Sequence, residues 1–316
     1  MMHIRRRRVV VSLCMALTAI LASACGASQG FGSGDETGST EVRLVQQPWE
    51  DLVVENQIVS QILDKLGYSA KIQELSVPLG AQALATGDAD VYLGNWWPSQ
   101  KSVFNKHLES GDVEVLGTLV TGTTYAPAVP KFVADEHGIR SLADLASNAD
   151  LFGAKFLGIE PGTPGNQYIQ DAIDQNAYDL GDWQLVQSST PAMLAEVERH
   201  VGKEKPVVFL GWEPHWMNVD WDLVYLDDPK QVWPGAGEIR VAANKNFAAE
   251  NPNVSRFLSQ ISIDRDTASE WIYQLSKKNT PAEQIARNWL SENSDVVSKW
   301  LRGVKTADGT PAEEVA

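Results

Sequence analysis

Between Glu41 and about Leu210 the hydrophobic period of the chain keeps switching, from two residues to between three and four and back again. This alternation restricts the fold more than any other feature. A strand followed by a helix returns to its sheet as a parallel neighbour, and the helix covers a sheet face. Glu41-Val42-Arg43-Leu44-Val45 alternates polar and apolar, and Val54, Ile58, Ile62 and Leu66 then mark one face of a helix, with Gly67 as its C-terminal cap. Residues 70–75 form a second strand, 79–86 a short helix, and Asp90-Val91-Tyr92-Leu93-Gly94 a third, buried strand. The theme repeats with strands at 155–159, about 183–186 and 206–210, and helices at about 167–177 and 191–201. After about Phe247 the pattern is helical to Leu301, and no internal repeat is present. The expectation is an α/β protein with parallel sheets and helices on both faces. About 275 residues follow Glu41, which suits two lobes better than one small core.

Three of these strands run into tryptophans flanked by an acid, an amide or a proline. The segments are Gln47-Pro48-Trp49-Glu50-Asp51, Gly94-Asn95-Trp96-Trp97-Pro98 and Gly211-Trp212-Glu213-Pro214-His215-Trp216. Tryptophan ordinarily sits inside an element, whereas strand-end loops are where α/β proteins build ligand sites. Indole faces converging on one cleft suit a ligand held by π-faces, and a quaternary ammonium ion, with no N–H to donate, is the obvious one. Trp216, Trp221, Trp271, Trp289 and Trp300 are assigned to packing, and Trp97 to either role. Asp51 also fits a helix N-cap, and Thr163-Pro164 fits an N-cap with proline at the first helical position. Glu213-Pro214-His215 is read as structural, because no second His or Cys stands at metal-ligand spacing, and no cofactor is implied.

Arg5-Arg6-Arg7-Arg8 followed by an apolar stretch and Leu21-Ala22-Ser23-Ala24-Cys25 has the layout of a secretory signal peptide over residues 1–24. The stretch is short of the ~20 residues that span a bilayer. Small residues before Cys25 match a bacterial lipoprotein processing site, so lipid at Cys25 is expected to anchor the protein outside the cytoplasm. The one other cysteine, Cys14, leaves with the signal, which excludes an internal disulfide. Residues 25–40, rich in Gly, Ser and Thr, read as a tether with a reach of roughly 20 Å. The net charge of −15, with all four arginines of residues 1–24 still counted, argues against nucleic acid or an anionic membrane surface as partner.

The chain resembles the substrate-binding proteins of bacterial ABC importers, in the glycine betaine/choline-binding family and nearest to its choline-binding members. The segments that carry the resemblance are Leu66-Gly67-Tyr68, Leu93-Gly94-Asn95-Trp96, Gly158-Ile159-Glu160-Pro161-Gly162 and, most specific, Phe209-Leu210-Gly211-Trp212-Glu213-Pro214-His215. The similarity extends from about Glu41 to Gly303. It implies a two-lobe periplasmic-binding-protein-like clamp of type II with the ligand cleft between the lobes. Two crossings, near Thr121–Thr124 and Pro229–Pro234, would divide it into lobe 1 (41–121 and 233–316) and lobe 2 (122–232). Carried over residue by residue, the aromatic box falls on Trp49, Trp96, Tyr125 and Trp212, and the carboxylate that accepts a choline hydroxyl falls on Asp51. A polar contact from the second lobe falls on Thr163, where choline-binding members tend to have asparagine, with Asn166 as substitute. The resemblance further implies a monomer that passes its ligand to an ABC importer permease. Choline, glycine betaine and carnitine stay open as ligands. A secreted hydrolase lacks support, since no Gly-x-Ser-x-Gly elbow is present. A sugar-stacking lipoprotein would need more polar side chains around the rings.

Overall fold

The computed structural model describes residues 40–235 and 237–314. The expected signal peptide, the expected lipidation at Cys25 and all but the last residue of the expected tether lie outside the described residues. In chain order the strands are β1 (Glu41–Gln46), β2 (Ser69–Glu74), β3 (Val91–Trp97), β4 (Val113–Pro130), β5 (Lys155–Leu157), β6 (Gln184–Val186), β7 (Phe209–Glu213), β8 (Leu223–Tyr225) and β9 (Gly237–Asn244). Their order in space is β2-β1-β3-β9-β4-β7-β5-β6, with β8 also on β4.

Two parallel sets, β1 with β2 and β3, and β5 with β6 and β7, are the βα units that the sequence pattern predicts. Between them the expectation of parallel sheets fails. β9 runs antiparallel to both β3 and β4, and β4 runs antiparallel to β7 and β8. β4 is 18 residues long and changes partner along its length. Its first part, to Thr123, pairs with β9, and from Thr124 it pairs with β7. The register with β9 shifts at Val115/Gly117, Thr118/Val120 and Thr121/Thr123. Such bulges break the two-residue period, which hides this strand from a search for alternation.

Helix Glu50–Lys65 carries its acids, Glu50 and Asp51, in the first turn and Lys65 in the last, in the sense that suits the helix dipole. Gly67 follows it at φ +81°, a left-handed position that glycine takes without cost. Its buried face, with Leu52, Ile58, Ile62 and Leu63, packs under β1 and against helices Arg265–Ser276 and Ala282–Glu292. Each such side chain contributes about 1.5–3 kcal/mol of burial. Trp271 and Trp300 are buried among these C-terminal helices, as their assignment to packing requires, and Trp289 is half-buried beside them. No helix among the described residues is long and apolar enough to cross a membrane.

Candidate functional site

Strand ends bring the aromatic residues together. Trp49 caps helix Glu50–Lys65 just after β1, while Trp96 and Trp212 are the last residues but one of β3 and β7. The latter two are therefore held inside strands and not in the loops beyond them, which corrects the sequence expectation and makes their placement more rigid. Tyr125 lies on β4 directly opposite Trp212. Trp49, Trp96, Tyr125 and Trp212 wall one cavity that is partly open to solvent. The Tyr125 ring centroid lies 6.0 Å from that of Trp96 and 6.5 Å from that of Trp212, with interplanar angles of 57° and 70°. Rings so tilted do not stack on one another. Trp96 and Trp212 are each only 7% exposed, so their faces are largely desolvated.

The polar part of the wall is small. Asp51, Ser99, Gln100 and Thr163 contribute, with Ile159 and Pro164 between them. Most of these polar groups are committed elsewhere. Ser99 Oγ donates to Trp96 O at 3.1 Å, Thr163 Oγ1 to Glu160 O at 2.9 Å, and Gln100 Nε2 to Gly94 O at 3.0 Å. Asp51 is the second residue of its helix, with Trp49 and not Asp51 at the cap position, and its carboxyl lines the cavity while accepting from backbone N–H groups of its own first turn. It is 4% exposed. Burial pushes its carboxyl up to about 7, and the charge of Glu50 adds to the shift.

Thr163 is the N-cap residue of helix Pro164–Asp174, with proline at its start, and it also faces the cavity. Asn166 does not line the cavity. Its Oδ1 accepts from Ile159 N at 3.0 Å, and its Nδ2 donates to Ile159 O at 2.9 Å and to Glu160 O at 3.1 Å. That carboxamide fastens the helix start to the strand end, leaving nothing to offer a ligand.

A second layer was not foreseen from sequence. Trp233 sits edge-on to Tyr125 at 5.4 Å and to Tyr168 at 5.3 Å, and its indole N–H donates to Tyr125 O. His215 backs Trp212 at 5.0 Å and Trp216 at 4.9 Å. Burial pushes His215 below its ordinary value, although Glu50 stands 3.8 Å away. A neutral imidazole wedged between indoles is a packing element, consistent with a structural role for Glu213-Pro214-His215. Trp97 lies on the other side of the strand under the Arg240 guanidinium, 3.8 Å from its ring centroid, and is not on the cavity wall. Across the cleft, Trp49 Nε1 donates to Glu160 Oε2 at 3.3 Å and Tyr168 Oη to Ser99 O at 2.9 Å. Glu160 is itself held by the Thr190 N–H at 2.6 Å and the Thr190 hydroxyl at 2.9 Å.

The family model described as the substrate binding domain of ABC-type glycine betaine transport system matches residues 40–292. A solved ABC-transporter choline binding protein in complex with choline is 32% identical, with a TM-score of 0.84 over 87% of this chain and 96% of that one. The closed, liganded lactococcal OpuAC complexed with glycine betaine is 29% identical, with a TM-score of 0.74 over 82% of this chain and 98% of that one. The glycine betaine/carnitine transport binding protein GbuC of Listeria monocytogenes is 34% identical over 152 residues, which are 48% of this chain and 50% of that protein. The fold is thus the two-lobe clamp of periplasmic binding proteins.

Proposed function

We propose that this chain, which belongs to the family of substrate-binding domains of ABC-type glycine betaine transport systems, captures choline in its aromatic cage and hands it to an ABC importer permease. The observation that carries the ligand class is the four-ring wall with one carboxylate and, among the residues lining the cavity, no Lys or Arg. Three or four desolvated cation–π faces supply roughly 3–8 kcal/mol, and methyl burial adds about 0.8 kcal/mol for each CH₂-sized unit. After the losses of ligand and lobe freedom, a micromolar dissociation constant, near −8 kcal/mol, is within reach. Calorimetric titration of the mature domain with choline, acetylcholine, glycine betaine, carnitine and proline tests this. A folded protein that gives no heat with any of them would defeat the assignment.

We divide the clamp into lobe 1 (41–121 and 233–316) and lobe 2 (122–232). The change of partner along β4 at Thr123–Thr124 supports the first boundary. On that division Trp49, Trp96 and Asp51 come from lobe 1, and Tyr125, Thr163 and Trp212 from lobe 2. Neither lobe alone surrounds the cation, so the ligand favours the closed clamp by the contacts it adds there. Thr163, which lines the cavity where Asn166 does not, is our candidate for the polar contact from lobe 2, as an acceptor, since its own hydroxyl donates to Glu160 O.

Asp51 discriminates between choline and glycine betaine, the second ligand reading. Its carboxylate accepts a hydroxyl and adds negative potential around a cation, but it repels the carboxylate of a betaine. At pH 8 the parent is expected to prefer choline over glycine betaine at least tenfold, about 1.4 kcal/mol. Asp51→Asn narrows that gap by weakening choline binding. A parental preference for glycine betaine would turn Asp51 into a helix-terminal residue only.

We place the protein outside the cytoplasm, monomeric and held to the membrane by lipid at Cys25. Cys25→Ser moves it from the membrane to the soluble exported fraction. Parent and variant both fractionating as soluble would remove the anchor from this account.

A further inference from the structure

Of the four rings around the cavity, Trp49 is the one that its own neighbours do not aim. Trp96, Tyr125 and Trp212 lie inside strands. Tyr125 meets the rings of Trp96, Trp212 and Trp233, and Trp212 also meets that of His215. Trp49 stands beyond the end of β1, at the cap position of helix Glu50–Lys65, and is half-buried. Among the described residues it has no ring contact, and its one side-chain hydrogen bond crosses the cleft, from Nε1 to Glu160 Oε2 at 3.3 Å.

Glu160 is fixed before that bond is made. Its backbone carbonyl accepts from Thr163 N at 3.2 Å, from the Thr163 hydroxyl at 2.9 Å and from Asn166 Nδ2 at 3.1 Å. Its carboxylate stands at the start of helix Thr190–Val201, where the helix dipole favours negative charge. There Oε1 accepts from Thr190 N at 2.6 Å and Oε2 from the Thr190 hydroxyl at 2.9 Å, and Thr190 is fully buried. All of these partners belong to lobe 2 on the proposed division, so the carboxylate keeps its place and its partners without Trp49. Glu160 does not line the cavity, and a ligand there has no contact with it.

We infer that Glu160 is a positioning residue for the cage: a fixed carboxylate of lobe 2 that aims the Trp49 indole of lobe 1 when the clamp closes. This role rests on the proposed capture of choline and on the proposed lobe division. With the lobes apart the bond is broken, and Trp49 is left to the rotamers that its half-buried position allows. On closure the indole N–H meets an anionic acceptor, and such a charge-assisted bond is about twice as strong as a neutral one. The direction of the N–H then sets the plane of the ring, and a cation is attracted over the face of an indole. The fourth wall is thus completed by the lobe opposite to the one that carries it. Closure and the orientation of that wall share one hydrogen bond, so a ligand that needs the wall favours the closed clamp. If Glu160 only ties the end of β5 to helix Thr190–Val201, its loss appears in the ligand-free fold and does not depend on Trp49.

A double-variant cycle on the mature chain, with choline as the probe, separates the two roles. Glu160→Gln keeps the shape of the acid, but its amide turns an NH₂ toward donors that the carboxylate accepts. It is expected to weaken choline binding about tenfold, the loss of a hydrogen bond to a charged group, chiefly through faster release. Trp49→Phe keeps an aromatic face without an N–H, and in that background Glu160→Gln is expected to cost less than about threefold. In protein carrying isotope-labelled tryptophan, each indole N–H gives its own NMR signal, and the Trp49 signal is the one missing from Trp49→Phe. On adding choline to the parent, that signal is expected to move downfield and to exchange more slowly with water, and in Glu160→Gln to do neither. An equal loss from Glu160→Gln in the parent and in Trp49→Phe would mean that Glu160 acts through the fold of lobe 2 or by its charge on the ligand. That result overturns the inference while leaving choline capture intact. A Trp49 signal that choline leaves unmoved in the parent overturns it too, and decides the matter should Glu160→Gln not fold. A parent that binds no ligand of the panel removes the proposed function and this inference together.

Discussion

Replacing Trp271 with alanine is expected to destabilise the folded domain by about 3–5 kcal/mol and to leave choline affinity within about threefold of the parent. The side chain is 1% exposed and meets Trp289 edge-on at 5.2 Å. Its removal leaves a large void between helices Arg265–Ser276 and Ala282–Glu292, and close-packed neighbours collapse into such a void only in part. In a domain of this size each kcal/mol moves the melting temperature by about 2–4 °C, so the transition falls by roughly 6–20 °C. Affinity is expected to survive because no residue of these two helices lines the cavity. Thermal unfolding with and without choline, and titration at 20 °C, separate the two effects. A loss of affinity as large as that of a cage variant would mean that the C-terminal helices transmit their packing to Asp51.

How far sequence reaches toward this structure depends on which force places each residue. Helix Glu50–Lys65 and the strands around it are legible because one face of each is buried and the other is wet, which writes a period into the chain. The long β4 and β9 are not legible, since bulges and a change of partner erase the period where the chain passes from one parallel set to the other. Trp49, Trp96, Tyr125, Trp212, Asp51 and Thr163 line one cavity, and their flanking Pro, Asn and Glu residues were visible beforehand. Asn166 shows the limit. Its side chain is the asparagine that the resemblance expects at Thr163, but at the start of this helix that carboxamide satisfies the nearest backbone groups, those of Ile159 and Glu160. Ser99 and Gln100 had no signal at all, because neither residue type announces that it lines a cavity. Trp233 could have been found: it is an indole at the foot of the second expected crossing.

The contacts that bridge the cleft explain why the tryptophan walls should behave as a cooperative unit. Trp49 reaches Glu160, Tyr168 reaches Ser99, and Lys277 lies 3.3 Å from Asp220 and 3.4 Å from Glu198 while covering the face of Trp216 at 3.6 Å. Half-exposed ion pairs such as those of Lys277 contribute little by themselves, about 0–1 kcal/mol. On the proposed lobe division, such a seam would bias the clamp toward closure without locking it, and a ligand touching the rings would supply the remaining preference.

Trp96→Ala and Trp212→Ala are each expected to weaken choline binding by about 1–3 kcal/mol, roughly 5- to 150-fold, with the domain still folded. Each removes one cation–π face and the apolar area against a methyl group. Trp300→Ala is the control. Trp300 is buried and stacks on Trp289 at 5.3 Å, far from the cage in role, so it lowers the melting temperature and leaves affinity nearly unchanged in the folded fraction. The double variant is expected to lose less than the sum of the single losses. Once either wall is missing the cation no longer bridges the two lobes, and the other tryptophan has already lost much of what closure gave it. Titration calorimetry gives the four affinities of the cycle, and small-angle scattering gives the ligand-induced compaction that should vanish in both single variants. Strictly additive losses with compaction intact would mean that the cage is preformed on one lobe. Equal losses at Trp96, Trp212 and Trp300 would mean that the cation is held elsewhere.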